Sequence, residues 1–228
     1  MDVASRLERV RQRIAAACDR AGRDPRAVTL VAVTKTHPAE VVEQALRAGI
    51  TDVGENRIQE AAAKKPQVSL PCRWHLVGHL QTNKAGRALE MFDTIQSLDS
   101  GRLADALQRR CAELNKTIDV LLEVNTSGEA SKFGVEPGAA AGLCARVLEL
   151  DRLRLTGLMT IGPGWAIDDP EASRPSFRRL RQLAAELRAR FGIPLPRLSM
   201  GMTSDFEVGI EEGATDIRVG TALFGARS

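Results

Sequence analysis

The chain has 228 residues, of which 43% are hydrophobic and 27% are charged, and its formal net charge is +3 at neutral pH. This composition is typical of a globular protein with a large core, and the length suits one domain that covers residues 1–228. The small, dispersed positive charge argues against a nucleic-acid partner, and no apolar run reaches the roughly 20 residues that a membrane span requires. Because the N-terminal segment is charged and lacks the apolar stretch of a signal peptide, we expect a cytoplasmic protein.

The four cysteines and three histidines do not form a pattern typical of a metal site. The cysteines lie far apart and none belongs to a C-x-x-C pair, so neither a disulfide framework nor a zinc site is expected. Cys18, Cys111 and Cys144 fall in helical patterns and are predicted to be small buried hydrophobic residues. The chain has no tyrosine, which removes one common acid–base side chain.

An amphipathic helix is predicted first, because Leu7, Val10, Ile14 and Cys18 recur at helical spacing. Eight short runs rich in β-branched residues then alternate with helical stretches, a pattern typical of a parallel sheet built from βα units. The predicted strands cover residues 28–34, 51–53, 73–77, 93–97, 118–124, 153–158, 196–199 and 215–219.

This order predicts an α/β protein, a (β/α)8 TIM barrel with one extra N-terminal helix. A doubly wound sheet is the competing architecture, but its G-x-G-x-x-G fingerprint does not follow the first strand. The last long helical stretch ends near Phe191, where Gly192 is a typical helix stop.

In a (β/α)8 barrel the chemistry lies at the carboxyl ends of the strands. Polar side chains next to glycines are concentrated at those ends, as expected for a ligand-binding mouth. The strand ends comprise Lys35, residues 54–56, residues 75–81, Ser97, residues 125–127, residues 159–160, residues 199–203 and residues 218–221.

Lys35 follows the apolar first strand and shares a strand face with Val31 and Val33. If the two valines fill the barrel, the lysine rises into the mouth above them, where its amine could attack an aldehyde. The alternative is a lysine that only reaches solvent from the end of a strand.

Two segments are candidates for holding a phosphate. Residues 199–203 have a glycine between hydroxyl side chains, and Gly220 and Thr221 precede the final helical segment, whose free N–H groups favour an anion. These are the loops after strands seven and eight, which often form the phosphate site of such barrels. Ordinary loop glycines are the alternative for either segment.

Arg218 is predicted to lie beside a ligand ring. A permanently charged guanidinium only donates hydrogen bonds, so it can bond a pyridine nitrogen only when that nitrogen is unprotonated. A structural ion pair with Asp216 or Glu207 is the alternative. With an amine for the aldehyde and donors for the phosphate, Lys35 and Arg218 together predict a pocket for pyridoxal 5'-phosphate.

His75 and His79 lie four residues apart and are candidates for proton transfer. The residues between them have a strand-like pattern, so the two rings need not face each other. Their role is left open.

Several segments, in order through nearly the whole chain, make it resemble the pyridoxal phosphate homeostasis protein family. These segments cover residues 32–35, 54–56, 74–81, 83–84, 124–129, 157–160, 199–205 and 218–225. The resemblance implies a fold-type III barrel like the N-terminal barrel of alanine racemase, with the cofactor bound as an internal aldimine.

By motif position, the resemblance makes Lys35 the aldimine lysine, places Arg218 opposite the pyridine nitrogen and places Asn56 near the ring. Thr203 stands where many relatives have serine, and the hydroxyl is retained. The resemblance assigns the phosphate to Ser199, Met200, Gly201, Thr203, Gly220 and Thr221.

Members of this family are thought to bind, buffer or deliver pyridoxal 5'-phosphate and to influence amino-acid and keto-acid balance, without an established reaction. Possible partners are therefore the cofactor, amino or keto acids, and apo-enzymes that need the cofactor. We expect a monomer with no nucleic-acid or membrane partner.

Three functions stay open at this point. The first is a cofactor carrier or regulator without turnover, and the second is a weak, racemase-like enzyme with Lys35 as base. The third is an aldolase that uses the lysine without any cofactor. The resemblance to alanine racemase implies that two-base racemisation would use a lysine and a tyrosine on opposite faces of the substrate. The chain has no tyrosine, which argues against this reaction.

Overall fold

The structure is a computed structural model that describes residues 2–225. Residue 1 and residues 226–228, which belong to the predicted domain, lie outside the described residues. Eight parallel strands form a closed barrel in sequential order, as predicted. The strands are β1 (Thr29–Val33), β2 (Asp52–Glu55), β3 (Arg73–Leu76), β4 (Thr94–Leu98), β5 (Ile118–Glu123), β6 (Leu153–Met159), β7 (Arg197–Met202) and β8 (Asp216–Val219).

Helices connect the strands and cover the outside of the barrel. They are α1 (Val3–Arg20), α2 (Ala39–Arg47), α3 (Ile58–Lys64), α4 (Ala85–Met91), α5 (Gly101–Glu113), α6 (Ala140–Leu148), α7 (Arg174–Phe191), α8 (Phe206–Glu211) and α9 (Thr221–Phe224). The predicted helix stop is confirmed, since Gly192 caps α7 with a left-handed φ of 65°.

The predicted extra helix is α1, which lies before the first strand. Asp2 caps it by accepting a hydrogen bond from the Ser5 amide at 2.8 Å. Its buried stripe includes Leu7, Val10 and Ile14, and it packs against α8 and α9. The helix therefore covers the seam where the two ends of the barrel meet.

Side chains alternate between two environments along each strand. Outward residues such as Ala32, Val53 and Ile217 join the helices in one hydrophobic core. Inside the barrel, a Cβ added to Gly54 would lie 3.0 Å from Val31 Cγ1 and 3.6 Å from Val77 Cγ1, so the apolar inner layer is tightly packed. The same interior also contains buried polar side chains, which is unusual for such a barrel.

Every predicted strand overlaps an observed one, and the largest difference is in β7, predicted to end at residue 199. The observed strand continues through Gly201, with a φ of 93°, to Met202. Its register against β8 shifts between Ser199 and Met202, so a bulge carries the strand further than its β-branched residues indicated.

Cys18, Cys111 and Cys144 are buried, as predicted for small hydrophobic residues. Among residues 2–225, no helix combines the length and the apolar character needed to cross a membrane.

Candidate functional site

Lys35 lies two residues beyond the end of β1 at the carboxyl end of the barrel. The preceding amide, of Thr34, still bonds the Gly54 carbonyl at 3.0 Å, which extends the pairing of β1 with β2. Thr36 then takes a left-handed φ of 67°, and its amide donates to Glu60 Oε2 at 2.8 Å. This turn, which is strained for a β-branched residue, directs the chain away from the barrel immediately after the lysine.

A buried cluster on the outer side of β1 holds the residue before the lysine. Lys64, on α3, places Nζ 2.6 Å from both the Thr34 carbonyl and Glu55 Oε1. The Thr34 hydroxyl donates to the same Glu55 oxygen at 2.6 Å. Burial raises the pKa of Glu55, and the bonds from Lys64 and Thr34 oppose that rise. The cluster fixes the end of β1 from behind.

Lys35 lines a cavity of about 540 Å³ at the mouth of the barrel. This cavity, which we call the mouth cavity, is within the range of small-molecule sites. The residues around it come from six strand ends. They are Val33, Lys35, His37, Asn56, Val77, Ile161, Ile167, Met202, Thr203, Ser204, Arg218, Gly220, Thr221 and Gly225.

Arg218 lies inside the barrel on β8 and lines the mouth cavity from below. Its Nη1 donates to Ser199 Oγ at 2.6 Å, and its Nη2 donates to the Thr160 carbonyl at 2.7 Å. Burial lowers the pKa of the guanidinium, and nearby carboxylates oppose the change. The side chain, 4% exposed, remains a donor-only cation at the inner end of the mouth cavity.

The alternative interpretation of Arg218, an ion pair with Asp216 or Glu207, is not what the structure contains. Asp216 pairs with Arg197 at 2.5 Å, and Glu207 pairs with Arg13 at 3.0 Å. The groups that Arg218 bonds directly are uncharged, and the residue also lines the cavity.

The two predicted phosphate loops meet on one side of the mouth cavity, where Thr203, Gly220 and Thr221 line it. The Ala222 amide lies 3.4 Å from Thr203 Oγ1, which joins the loops directly. A Cβ on Gly220 would lie 3.1 Å from the Val33 carbonyl oxygen, so this turn needs a small residue to pack against β1. Ser204, which the sequence analysis did not single out, adds a third hydroxyl.

The other three residues predicted to hold the phosphate, Ser199, Met200 and Gly201, lie outside the cavity lining. Ser199 is fully buried inside the barrel beneath the mouth cavity, where it bonds Arg218. Met200 faces outward into the hydrophobic core. A Cβ on Gly201 would approach the Phe206 Cα to 2.7 Å, so this glycine permits α8 to pack against β7.

Asn56 lies between the mouth cavity and a second cavity of about 460 Å³, which also contains His79 and Lys84. A Cβ on Gly78 would come within 2.4 Å of the Asn56 carbonyl oxygen. The close backbone approach at Gly78 holds Asn56 at the rim of the mouth cavity.

The two histidines of the predicted pair lie in different environments. His75 is buried inside the barrel and contacts Asp52 and Gln96. His79 is partly exposed and lies 3.1 Å from Asp99 Oδ2. Its ring stacks on that of Phe133 at a centroid distance of 3.9 Å. The structure therefore does not bring them together.

Sequence reasoning missed Gln96, which contacts Ser199 from across the barrel, and it included Thr160 only as a strand end, without the bond from Arg218 to its carbonyl. It also missed Glu123, at the end of β5, whose Oε2 is buried without a hydrogen-bond partner among the described residues. Burial raises the pKa of Glu123 to about 7, with Asp99 adding to the rise and Arg218 opposing it. The signal in each case is a polar residue at a strand position where an aliphatic one is usual.

Known proteins resemble the chain over its whole length. The sequence profile of the family described as "Alanine racemase, N-terminal domain" matches residues 5–228. The pyridoxal phosphate homeostasis protein of Aquifex aeolicus is 46% identical, covering 100% of this chain and 99% of the relative. That of Pseudomonas aeruginosa is 43% identical, covering 99% and 96%.

Solved structures agree with the fold. A crystal structure of a protein from Bifidobacterium adolescentis has a TM-score of 0.90 at 40% identity, covering 97% of this chain and 94% of the other. The structure of PipY from Synechococcus elongatus with PLP bound has a TM-score of 0.86 at 36% identity, covering 98% and 100%. The barrel, the matched profile and these relatives show that the chain belongs to the alanine racemase N-terminal domain family, among the proteins named for pyridoxal phosphate homeostasis.

Proposed function

We propose that this protein binds pyridoxal 5'-phosphate in the mouth cavity, with Lys35 as the lysine of the Schiff base, and serves as a carrier or regulator of the cofactor. One observation carries the proposal: Lys35, Arg218, Thr203 and Thr221 line the same cavity. A relative that is 36% identical has been solved with PLP bound, which supports the assignment.

The residues of the cavity fit the three polar parts of this cofactor. When bound, pyridoxal phosphate supplies an aldehyde that condenses with an amine. Lys35 supplies the amine. The hydroxyls of Thr203, Ser204 and Thr221, on the loops after β7 and β8, are donors for a phosphate. Backbone contacts from Met200 and Gly201 to the phosphate stay predictions.

Arg218 serves the ring of the cofactor. Two of its nitrogens bond Ser199 and the Thr160 carbonyl, and the residue also lines the cavity. Because it only donates, it favours an unprotonated ring nitrogen. Asn56, at the rim of the cavity, is proposed to lie near the ring.

The same residues favour a carrier over an enzyme. A protonated ring is the better electron sink, and an arginine at the ring nitrogen disfavours it. Racemisation also needs an acid on the face opposite the lysine, and the chain has no tyrosine to provide one. The relatives at 46% and 43% identity are named for homeostasis of the cofactor.

The visible spectrum of the purified protein tests the binding proposal. We expect a band from the covalently bound cofactor, and borohydride reduction followed by peptide mapping should locate it on the peptide that contains Lys35. A protein that stays colourless when supplied with pyridoxal phosphate would contradict the proposal and favour the cofactor-free aldolase. Cofactor found on Lys84 or Lys132 would mean that this lysine, rather than Lys35, forms the Schiff base.

Incubation with L-alanine, L-serine and L-glutamate in deuterated water separates a carrier from a racemase-like enzyme. Chiral analysis and proton counting at Cα should show no turnover at ordinary enzyme rates. Exchange at about 1 s⁻¹ or faster, the low end for working enzymes, would support the alternative in which Lys35 acts as a base.

Delivery to apo-enzymes, a monomeric state and a cytoplasmic location are further parts of the proposal. Transfer of cofactor from the loaded protein to an apo-enzyme, measured against release into buffer alone, tests the first. Light scattering tests the second, and imaging of the tagged protein in cells tests the third.

A further inference from the structure

A continuous series of buried polar side chains crosses the inside of the barrel from the mouth cavity to the opposite end. It consists of Arg218, Ser199, Gln96, His75 and Asp52, none of which is more than 4% exposed. The five residues come from five strands, in the order β8, β7, β4, β3 and β2. We call this series the interior chain.

Each neighbouring pair in the interior chain is within hydrogen-bond distance. Arg218 Nη1 lies 2.6 Å from Ser199 Oγ, which lies 2.6 Å from Gln96 Oε1. Gln96 Nε2 lies 3.2 Å from His75 Nδ1, and His75 Nε2 lies 2.8 Å from Asp52 Oδ1. No water or further residue is needed to join the two ends.

The direction of every bond follows from the chemistry of the two ends. Arginine can only donate, so Ser199 Oγ accepts from it and turns its own proton toward Gln96 Oε1. The amide group of Gln96 then faces His75 and donates to Nδ1. His75 is left with its proton on Nε2, which donates to the Asp52 carboxylate, a group that only accepts.

The far end of the interior chain is held in place. Arg73 contacts both carboxylate oxygens of Asp52, at 2.9 and 3.2 Å, and Thr51 donates to Oδ2 at 2.7 Å. Burial alone would raise the pKa of Asp52, but the bonds from His75, Thr51 and Arg73 outweigh it and hold the pKa well below its ordinary value. A fixed anion therefore terminates a series that begins with a fixed cation.

We propose that Ser199, Gln96 and His75 are positioning residues, which act through Arg218 on the ligand ring and are anchored by Asp52. The proposal rests on the proposed function, because it assigns these residues to the ring side of the same site. With Nη1 held by Ser199 and Nη2 held by the Thr160 carbonyl, the plane of the guanidinium is set. The ring nitrogen then meets a donor whose orientation is decided elsewhere in the barrel.

The protein without cofactor provides the first test. Long-range ¹H–¹⁵N spectra of the histidine rings, assigned with His37→Gln and His79→Gln, report the state of His75. We expect the proton on Nε2, facing Asp52, and an unprotonated Nδ1 that accepts from Gln96. A proton on Nδ1, or an imidazolium, would overturn the proposal.

The loaded protein provides the second test. Gln96→Met keeps the length of the side chain and removes both hydrogen bonds. We expect about tenfold weaker binding of pyridoxal phosphate, as for other residues that orient a binding group. The resonance of ¹⁵N-labelled ring nitrogen should shift, while borohydride still finds the label on Lys35. Ile95→Val, a buried change on the same strand that faces the outer hydrophobic core, should leave affinity and resonance unchanged.

Asp52→Asn is the conservative variant, and it decides the matter if Gln96→Met does not fold. It keeps an oxygen acceptor for His75 but removes the anion, so we expect a smaller shift of the ring resonance in the same direction. Wild-type values in a folded Gln96→Met or Asp52→Asn protein would overturn the proposal. If wild-type protein does not bind the cofactor, the proposed function fails, while the state of His75 still tests the interior chain separately.

Discussion

The two ends of the barrel have cavities of similar volume but different chemistry. The mouth cavity is about 540 Å³, and a cavity at the opposite end, which we call the floor cavity, is about 500 Å³. The floor cavity is the richer in arginines, with Arg11, Arg26 and Arg73 in its lining. The number of arginines alone would therefore favour the floor as an anion site.

The arginines of the floor already have acceptors. Arg73 binds Asp52, Arg26 pairs with Asp24 at 2.8 Å, and Arg11 donates to the Gly49 carbonyl at 3.2 Å. At the mouth, the groups that Arg218 bonds are uncharged. Two of the three floor arginines are therefore ion-paired, whereas the groups that bond Arg218 directly are uncharged, so ion pairing rather than cavity size distinguishes the two ends.

Buried carboxyl groups differ between the two ends in the same way. Asp52, near the floor, accepts bonds from three neighbours, and its pKa is held low. Glu123, at the carboxyl end of β5, has an oxygen without a partner among residues 2–225, and its pKa is raised to about 7. Of the four side chains with a buried, unbonded polar atom among residues 2–225, three (Glu55, Ser97 and Glu123) lie at the carboxyl ends of strands, the end where barrel ligands bind.

The largest expected effect is the loss of the covalent link in Lys35→Ala. We expect the visible band to disappear and the far-UV spectrum to stay unchanged, because the lysine lies beyond the end of β1 and carries no part of the core. Lys84→Ala, in the lining of the second cavity, is the matched control and should stay coloured. If borohydride still fixes the cofactor on Lys35→Ala protein, another lysine forms the covalent link and the assignment to Lys35 is wrong.

Glu123→Gln should stabilise the protein at alkaline pH. The folded pKa of about 7 lies above the ordinary value of 4.5, so the folded state holds this proton more tightly than the unfolded state. Stability is therefore lost as pH rises from 4.5 to about 7, and the full cost persists above that window. Removing the charge should recover on the order of 3 kcal/mol at about pH 8 and little at about pH 4.

Urea unfolding of both proteins at the two pH values measures this difference. Glu136→Gln, an exposed residue, is the control and should show no such dependence on pH. Equal gains for Glu123→Gln at both pH values would mean that the carboxyl group is ionised without penalty in the folded protein.

Thr203→Ala combined with Thr221→Ala should weaken retention of the cofactor about tenfold. The change removes two hydroxyl donors from a charged phosphate, and the net value of such bonds is modest where water can replace them. Equilibrium dialysis measures the affinity, and borohydride should still label Lys35. Unchanged affinity would place the phosphate away from the loops after β7 and β8.

Arg26→Ala at the floor should have the smallest effect, a change in cofactor affinity within about twofold. The side chain lines the floor cavity, but it is exposed and pairs with Asp24, so its charge is screened and compensated. The same dialysis measures it. A loss as large as that of the double threonine variant would give the floor a role in binding the cofactor.

The sequence predicted the strands and the ligand-binding residues at their ends because both are local patterns. Lys35 and Arg218 follow from the rule that barrel chemistry lies at the carboxyl ends. Gln96 could not be found this way, because it meets Ser199 across the barrel from 103 residues away. Glu123 likewise belongs to a strand whose burial is predictable, but its missing partner is a property of the packed interior.

The predicted phosphate segment shows the limit within one strand. Thr203 reaches the cavity, whereas Met200 packs outward and Gly201 makes room for α8. The bulge in β7 decides which of these neighbours faces the mouth. Such an irregularity depends on the register against β8, and residue types alone do not reveal it.

The turn at Thr36 has a consequence for the speed of ligand exchange. A threonine at a φ of 67° is strained by about 1–2 kcal/mol, and Glu60 and the cluster around Lys64 hold that strain from behind the strand. Because these contacts are made within the protein, the rim around Lys35 needs no ordering when a ligand arrives, and little conformational entropy is lost on association. Residence time then depends on the lifetime of the bonds to the ligand, which would suit the proposed role as a carrier.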